Sequence, residues 1–403
     1  MDGIGSMNGK IERVSRAHRE KAKAPAYLSQ AALRKVLAFH QTCPVYKPTP
    51  LAHLPRTAAL LGLGDICVKD ESHRFGLNAF KALGGSYAIG SLLAERMGLP
   101  PDALSWQALT APACRRITGA LTFVTATDGN HGRGVAWTAA EFGARAVVYM
   151  PHGTAPERLE NIRALGARAE IIDGSYDDAV RLARDHAAKS GWILVQDTAL
   201  DGDTDIPARI MQGYGTMGLE AYDQLPWKPT HLFLQAGVGS MAGAMAGLFA
   251  DLYGSDRPVT VIVEPHAADC IFRTAKADDG RLHFVGGSLD TIMAGLACGE
   301  PCSLGWDVLA DHADHFLSCP DFTAAKGMRI LGNPWGDDDR VISGESGAAA
   351  FGCAAEIMTD PAYADIRAAL GLGADSRVLF FSTEGATDTE NYRNIVWNGK
   401  YQA

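Results

Sequence analysis

The sequence has no long hydrophobic run and a deficit of positive charge. No stretch of about 18 consecutive apolar residues occurs, and residues 1–10 lack the apolar region of a secretory signal. We therefore expect neither a membrane span nor export, which leaves the cytoplasm. Lysine and arginine number 37 against 46 aspartate and glutamate residues, a formal net charge of -9. This balance argues against nucleic acid or an anionic membrane surface as a partner.

Metal-binding and disulfide patterns are also missing from the sequence. The eight cysteines form no CxxC pair, and the histidines and carboxylates show no HExxH or similar ligand spacing. We therefore predict no metal site. Most of the cysteines should be reduced and buried, although a disulfide among Cys270, Cys298 and Cys302 is an open alternative.

The chain does contain a regular alternation of strand and helix patterns. The first series places strands at 122–127, 144–150, 168–172 and 192–196, and helices at 130–142, 156–165 and 176–190. The second series places helices at 207–222, 240–253, 347–358 and 387–396, and strands at 231–235, 258–264 and 377–381. Strands that alternate with such helices form βαβ units and a parallel sheet. We predict an α/β fold with two lobes, a helix-rich lead-in over 1–45 and a non-periodic crossover over 98–115.

A lysine at the start of a helix is the first candidate for chemistry. Lys81 opens a predicted helix over 81–97, and a short strand over 64–69 precedes it. The helix dipole disfavours a cation at this end, so a neutral amine is easier to keep there. A neutral lysine can form a Schiff base with an aldehyde. A lone lysine near a helix start is, however, more often an ordinary solvated side chain.

Two glycine-rich turns each follow a strand and open a helix. Residues 235–243 hold a Gly-x-Gly-x-x-x-Gly pattern, whose free N–H groups at the helix start would bind a phosphate. Tight packing of the helix on the sheet is an equal alternative. A dinucleotide fold is another, but its fingerprint is missing from the first βαβ unit. In the second turn, residues 125–134, Asp128 or Asn130 would at least cap the helix, and His131 would be a packed histidine.

Polar turns near the C-terminus complete the set of candidates. Residues 379–388 run from an apolar strand through a polar turn to a helix. Ser382 and Thr383 could offer a hydroxyl to a ring nitrogen there, or could only cap the helix. A similar turn at 343–347 also precedes a helix. Since open parallel sheets bind ligands at the carboxyl ends of their strands, polar groups in such turns are site candidates.

The order of these elements resembles a known group of enzymes. Asn-Ala-Phe-Lys at 78–81, Gly-Asn-His-Gly at 129–132, Gly-Val-Gly-Ser at 237–240 and Ser-Thr-x-Gly at 382–385 resemble the tryptophan-synthase-β-like (fold type II) pyridoxal-phosphate enzymes, over 46–396. Within that group, segments 74–85 and 125–137 resemble the diaminopropionate ammonia-lyase family. The resemblance implies a two-lobed α/β fold with parallel-sheet, three-layer lobes and pyridoxal 5′-phosphate as cofactor. It also implies a large cofactor-binding domain of 1–111 and 207–403, a small mobile domain at 112–206, and a homodimer.

The resemblance further implies how the cofactor is held. Lys81 resembles the Schiff-base lysine. The other cofactor contacts would be Phe80, Asn130 at the 3′-oxygen, the phosphate loop Gly237, Val238, Gly239, Ser240 and Met241, and Ser382 or Thr383 at the pyridine nitrogen. A hydroxyl partner need not keep the pyridine nitrogen protonated. The cofactor would then be a milder electron sink, which suits elimination.

Two aspartates carry the expected specificity. Asp128 stands where serine and threonine dehydratases usually have a serine, and a carboxylate there would attract the β-ammonium of 2,3-diaminopropionate or act as a second base. Asp197 resembles the second active-site acid of the lyases, with a solvated loop aspartate as the alternative. The predicted substrate contacts are Asp128, Asp197, Thr127, Glu345 and Ser346.

The reaction that follows is a β-elimination of ammonia from an amino-acid substrate, D- or L-2,3-diaminopropionate, giving pyruvate and two ammonia. Lys81 would remove the Cα proton of the L substrate and Asp128 that of the D substrate. The nearest alternative is a serine/threonine dehydratase-like or threonine-synthase-like enzyme, against which Asp128 argues. An NAD-binding oxidoreductase and a non-catalytic relative are the others.

Overall fold

The computed structural model describes residues 9–16, 23–127, 129–198 and 204–402. The strands in these ranges are β1 Glu12–Ser15, β2 Leu51–His53, β3 Asp65–Asp70, β4 Thr122–Ala126, β5 Arg145–Met150, β6 Arg168–Ile171, β7 Ile193–Leu194, β8 His231–Gln235, β9 Val259–Pro265, β10 His315–Cys319 and β11 Arg377–Ser382. The helices are α1 Gln30–Gln41, α2 Pro55–Leu60, α3 Ala82–Arg96, α4 Trp106–Thr110, α5 Pro112–Thr118, α6 Asn130–Phe142, α7 Pro156–Arg163, α8 Tyr176–Ser190, α9 Asp205–Gln224, α10 Ser240–Tyr253, α11 Cys270–Ala277, α12 Ser303–His312, α13 Asp321–Gly332, α14 Glu345–Thr359, α15 Ala364–Leu370 and α16 Thr389–Val396.

The larger sheet brings distant parts of the chain to one edge. Its seven strands have the order β1-β10-β9-β8-β11-β3-β2. The strands β10, β9, β8, β11 and β3 are parallel, and β1 and β2 join the two ends of the sheet antiparallel. Strand β11 lies between β8 and β3, and its Ser382 is level with Asp70. The turns that follow β3, β8 and β11 therefore meet at the carboxyl ends of the strands, where open parallel sheets bind ligands.

The smaller sheet is built from one continuous part of the chain. Its four strands have the order β6-β5-β4-β7 and are all parallel. All four lie inside the range 112–206, which the sequence assigns to a separate domain; those limits and the mobility of this part stay predictions. The predicted α/β class with two lobes is confirmed, and the antiparallel strands β1 and β2 are an addition that alternation alone did not predict.

The predicted non-periodic crossover over 98–115 is wrong in part, because it contains α4 and most of α5. Ser105 caps α4, with its hydroxyl accepting from Ala108 N at 3.3 Å, and Pro112 opens α5. Trp106 is almost completely buried and packs against Phe142, with ring centroids 4.7 Å apart. Helices this short contain too few residues for a readable period of apolar positions. The burial of Trp106 stabilises α4.

A buried ionic cluster fixes the segment that leads to Lys81. The Arg74 guanidinium donates to Glu71 Oε1 at 2.8 Å and to Glu220 Oε2 at 2.8 Å, and Lys69 Nζ lies 2.7 Å from the same Glu220 oxygen. All four side chains are at most 3% exposed. Glu220 belongs to α9, so the cluster ties the turn after β3 to that helix.

Several classes of site find no support in the described ranges. None of the helices there is both long and apolar enough to cross a membrane. The same ranges hold no group of three or more His, Cys, Asp or Glu side chains that could bind a metal ion. Seven of the eight cysteines are buried and Cys298 is half-buried, and the described ranges contain no disulfide.

Candidate active site

One cavity at the carboxyl ends of β3, β8 and β11 collects most of the predicted site residues. It lies between the two sheets, and both parts of the chain contribute to its wall. The predicted residues that line it are Phe80, Lys81, Thr127, Asn130, Asp197, Gly237, Val238, Gly239, Ser240, Met241, Ser346 and Thr383. Residues as far apart in sequence as Phe80 and Thr383 therefore converge on one site.

Lys81 lies in this cavity as the N-cap of α3, one residue before the helix. Its Nζ donates to Asp197 Oδ2 at 2.5 Å. Burial alone would raise the pKa of the Asp197 carboxyl, but the Lys81 ammonium in contact with it outweighs burial and holds that pKa at about 2. Asp197 is 3% exposed. It is therefore a buried partner of the lysine and not the solvated loop aspartate that the sequence left open.

His131 fills the wall behind this pair. Its Nε2 lies 2.8 Å from the Val195 carbonyl oxygen, so Nε2 carries the proton and Nδ1 is an acceptor. Burial lowers the pKa of His131 below its ordinary value, against the opposing effect of Asp197. A neutral, buried ring bonded to the main chain agrees with the packed histidine expected from the sequence.

The glycine loop opens α10 with its backbone N–H groups at the cavity. Gly239 is the N-cap with φ of 93°, a conformation that L side chains rarely adopt. A Cβ atom on Gly237 would lie 3.2 Å from Cys298 Sγ and 3.2 Å from Leu296 Cα. No side chain in the described ranges caps α10. The loop therefore presents main-chain donors to the cavity without a side chain in the way.

Asn130 is the first residue of α6, and its side chain reaches across to the other sheet. Its Nδ2 donates to Glu384 Oε2 at 2.5 Å. Glu384 also lines the cavity, and its Oε1 accepts from Ser346 N at 3.1 Å. The sequence motifs assign no role to Glu384. A polar side chain just after a parallel strand was the available signal.

The two C-terminal hydroxyls lie on different sides of the chain. Thr383 lines the cavity, and its Oγ1 accepts from Gln235 Nε2 at 2.9 Å. The Ser382 hydroxyl instead donates to Ser343 Oγ at 2.8 Å, and Ser382 is not among the residues that line the cavity. Gln235, the last residue of β8, is a second residue of the cavity that the sequence motifs do not indicate. Its Oε1 is buried and has no hydrogen-bond partner in the described ranges.

A wider cleft of about 940 Å³ adjoins the cavity through Tyr176, Ala294 and Ala297, which line both. Glu345 lines the cleft, where its Oε1 accepts from Asn391 Nδ2 at 2.5 Å. Burial and the neighbouring Glu384 carboxylate raise the pKa of Glu345 to about 7.

Two other predicted substrate contacts, Thr127 and Ser346, line the cavity. Asp128 lies outside the described residues. Thr127 accepts from Gly129 N at 2.9 Å and lines the cavity. Ser346 accepts from Gly295 N at 3.0 Å through its hydroxyl.

The residues of the cavity fit a pyridoxal phosphate. The group needs an amine for its aldehyde, N–H donors for its phosphate and a polar partner for its ring nitrogen. Lys81 offers the amine, and the uncapped start of α10 offers the donors. Thr383 offers a hydroxyl for the ring nitrogen. The wall also contains the buried Gln235 Oε1, which has no hydrogen-bond partner in the described ranges and can accept one more hydrogen bond.

Comparison with known proteins agrees with this fit. The model of the family "Pyridoxal-phosphate dependent enzyme" matches residues 43–384. The diaminopropionate ammonia-lyase of Salmonella typhimurium is 51% identical over 371 residues, which are 91% of this chain and 92% of that protein. The diaminopropionate ammonia-lyase of Escherichia coli is 50% identical over 93% of each chain. A crystal structure of the Escherichia coli enzyme in complex with D-serine has a TM-score of 0.91 and 47% identity, and the match covers 97% of this chain and 98% of that one.

These similarities confirm the resemblance, the fold class and the pyridoxal-phosphate dependence that the sequence motifs implied. The chain belongs to the pyridoxal-phosphate-dependent enzymes and, within them, to the diaminopropionate ammonia-lyases, which are carbon–nitrogen lyases.

Proposed function

We propose that this protein converts D- and L-2,3-diaminopropionate and one water into pyruvate and two molecules of ammonia. The observation that carries the proposal is the 2.5 Å pair of Lys81 Nζ and Asp197 Oδ2 beside the glycine loop. The high identity to diaminopropionate ammonia-lyases over almost the whole chain supports the choice of substrate.

The cofactor-holding residues follow from the wall of the cavity. Lys81 would hold pyridoxal 5′-phosphate covalently through Nζ, with Phe80 beside it. Main-chain N–H groups of Gly237, Val238, Gly239, Ser240 and Met241 would bind the phosphate, and Asn130 the 3′-oxygen. Between the two hydroxyls predicted for the pyridine nitrogen, we assign Thr383, because the Ser382 hydroxyl is bonded to Ser343.

When bound, the cofactor supplies an electron sink that makes the Cα proton of an amino acid removable. Lys81 Nζ would take this proton from the L isomer, and the Asp128 carboxylate from the D isomer. Asp197 would hold Lys81 in reach of Cα and exchange a proton with Nζ, since the two groups are in direct contact. Asp197 is buried and Lys81 is half-buried in the cavity, which would limit the access of bulk water to the proton transfer.

Substrate recognition would use negatively charged side chains. Asp128 and Asp197 would attract the β-ammonium group of 2,3-diaminopropionate. Serine and threonine have a neutral hydroxyl at that position. Thr127, Ser346 and Glu345 would contact the rest of the substrate, because they line the cavity or the adjoining cleft. The second candidate function is a serine/threonine dehydratase-like elimination, which the same lysine and cofactor would support.

The test is pyruvate release by the holoenzyme with D- and L-2,3-diaminopropionate, L-serine and L-threonine in parallel. We expect rapid pyruvate formation from both diaminopropionate isomers and little from the hydroxy amino acids. Lys81→Ala is the control and should abolish all turnover. Preferential turnover of serine or threonine would favour the second candidate function.

The assembly and location belong to the same proposal. A homodimer and a cytoplasmic location are expected, with a small domain at 112–206 that moves relative to the rest. Light scattering of the holoenzyme should give about twice the 42.8 kDa mass of one chain. A monomer mass would contradict the homodimer.

A further inference from the structure

We propose that Glu384 is a positioning residue that fixes the side-chain amide of Asn130 for contact with the cofactor. The inference rests on the proposed assignment of Asn130 to the 3′-oxygen, and it adds a residue that the sequence motifs leave without a role.

Glu384 is 2% exposed, and both of its carboxylate oxygens are engaged. One accepts from Asn130 Nδ2 at 2.5 Å, and the other accepts from Ser346 N at 3.1 Å. The side chain thus joins the start of α6, which packs on the smaller sheet, to the start of α14, which packs on the larger one. The oxygen that accepts from Asn130 also accepts from Thr387 Oγ1 at 3.5 Å. A buried carboxylate with these three donors in place has little freedom to rotate.

The backbone of Glu384 is held by the segment that carries Lys81. Ala79 and Glu384 form an antiparallel bridge. Phe80 N donates to Thr383 O at 3.1 Å, and Gly385 N donates to the Asn78 carbonyl at 3.0 Å. The position of the Glu384 carboxylate is therefore set directly by the chain beside Lys81. An amide oriented by this carboxylate keeps a fixed relation to the lysine.

The chemistry of a carboxylate decides which way the amide points. An ionised carboxylate only accepts hydrogen bonds, so the nitrogen of Asn130, and not its oxygen, must face Glu384. That nitrogen carries a second proton, which remains for an acceptor in the cavity. A glutamine at position 384 has one accepting oxygen and one donating nitrogen, so it could not serve both Asn130 and Ser346 N.

The experiment measures the dissociation constant of pyridoxal 5′-phosphate and its visible absorption band, without substrate. Cofactor-free wild type is compared with Glu384→Gln, Asn130→Ala and the double variant. The matched control is Asp338→Asn, because Asp338 is also a buried carboxylate with two N–H partners, Arg56 N at 2.9 Å and Thr57 N at 2.7 Å. It does not line the cavity.

We expect Glu384→Gln to weaken cofactor binding about tenfold, because a tenfold change in the dissociation constant corresponds to the free energy of about one hydrogen bond to a charged group. Its absorption band should shift as in Asn130→Ala, and the double variant should bind no more weakly than Asn130→Ala alone. Asp338→Asn should leave both readouts unchanged. If Glu384→Gln does not fold, Glu384→Asp takes its place, since it keeps the charge but is one methylene too short to reach both donors.

Three results would overturn the inference. Wild-type affinity and spectrum in Glu384→Gln would show that the carboxylate does not orient the amide. If the affinity of the double variant for the cofactor falls by the product of the two single losses, Glu384 acts independently of Asn130. Wild-type binding by Asn130→Ala would refute the assignment of Asn130 itself, and the failure would then lie in the proposed cofactor site. None of these measurements depends on which amino acid the enzyme consumes.

Discussion

Replacement of Glu345 by glutamine should change how the stability of the protein depends on pH. Glu345 is 2% exposed, and burial with the nearby Glu384 carboxylate raises its pKa from 4.5 to about 7. The folded protein therefore binds this proton more tightly than the unfolded chain does. The free energy of unfolding is unaffected below pH 4.5, falls as the pH rises from 4.5 to about 7, and stays lower above that range.

The size of the effect follows from the shift. Each pKa unit corresponds to about 1.4 kcal/mol, so a carboxylate at this position costs about 3 kcal/mol of unfolding free energy at pH 8. Glu345→Gln keeps an oxygen to accept from Asn391 Nδ2 and carries no charge. We expect the variant to match the wild type near pH 4.5 and to exceed it by about 3 kcal/mol at pH 8.

The assay is urea unfolding of the cofactor-free protein at several pH values between 4.5 and 8. The matched control is Glu356→Gln on the same helix, because Glu356 Oε2 accepts from Lys326 Nζ at 2.7 Å and the substitution replaces this ion pair with a weaker hydrogen bond to a neutral oxygen. The control should be no more stable than the wild type at pH 8. A constant difference between Glu345→Gln and the wild type at all pH values would refute the reasoning.

Three further changes test other parts of the account. Asp128→Asn should reduce turnover of D-2,3-diaminopropionate far more than that of the L isomer, and equal losses in kcat would count against two separate bases. Gly239→Ala should weaken cofactor binding at least about tenfold, because the N-cap has φ of 93° and a Cβ would lie 3.0 Å from Ile271 Cδ1. Unchanged affinity would contradict the assignment of this loop to the phosphate. Glu220→Ala should lower the free energy of unfolding by about 3–5 kcal/mol, since it leaves Lys69 and Arg74 with one carboxylate. Asp223→Ala on the same helix is its control, and loss of that exposed pair with Arg34 should cost at most about 1 kcal/mol.

The features that sequence could predict are those that depend on neighbours in the chain. Lys81 at a helix start and the glycine loop before α10 are local patterns, and both lie where the motifs indicated. Such local patterns could not show whether Ser382 or Thr383 faces the pyridine nitrogen. Adjacent residues point to opposite sides of an extended chain, and only the packing of Ser343 shows which side faces the cavity.

The features that sequence missed depend on contacts between distant residues. Glu384 meets Asn130 across 254 positions, and Gln235 meets Thr383 across 148. Both contacts exist because β11 inserts between β8 and β3, which no local pattern reveals. The same holds for α4, which forms because Trp106 is buried among rings from other helices.

The central claim is that ammonia leaves from both carbons of a diamino acid. The most direct measurement is the ratio of ammonia to pyruvate released by the holoenzyme from each isomer of 2,3-diaminopropionate. The account predicts two ammonia per pyruvate for both isomers, with no turnover by Lys81→Ala. A holoenzyme that forms no pyruvate from either isomer, while releasing one ammonia per keto acid from serine or threonine, would contradict it.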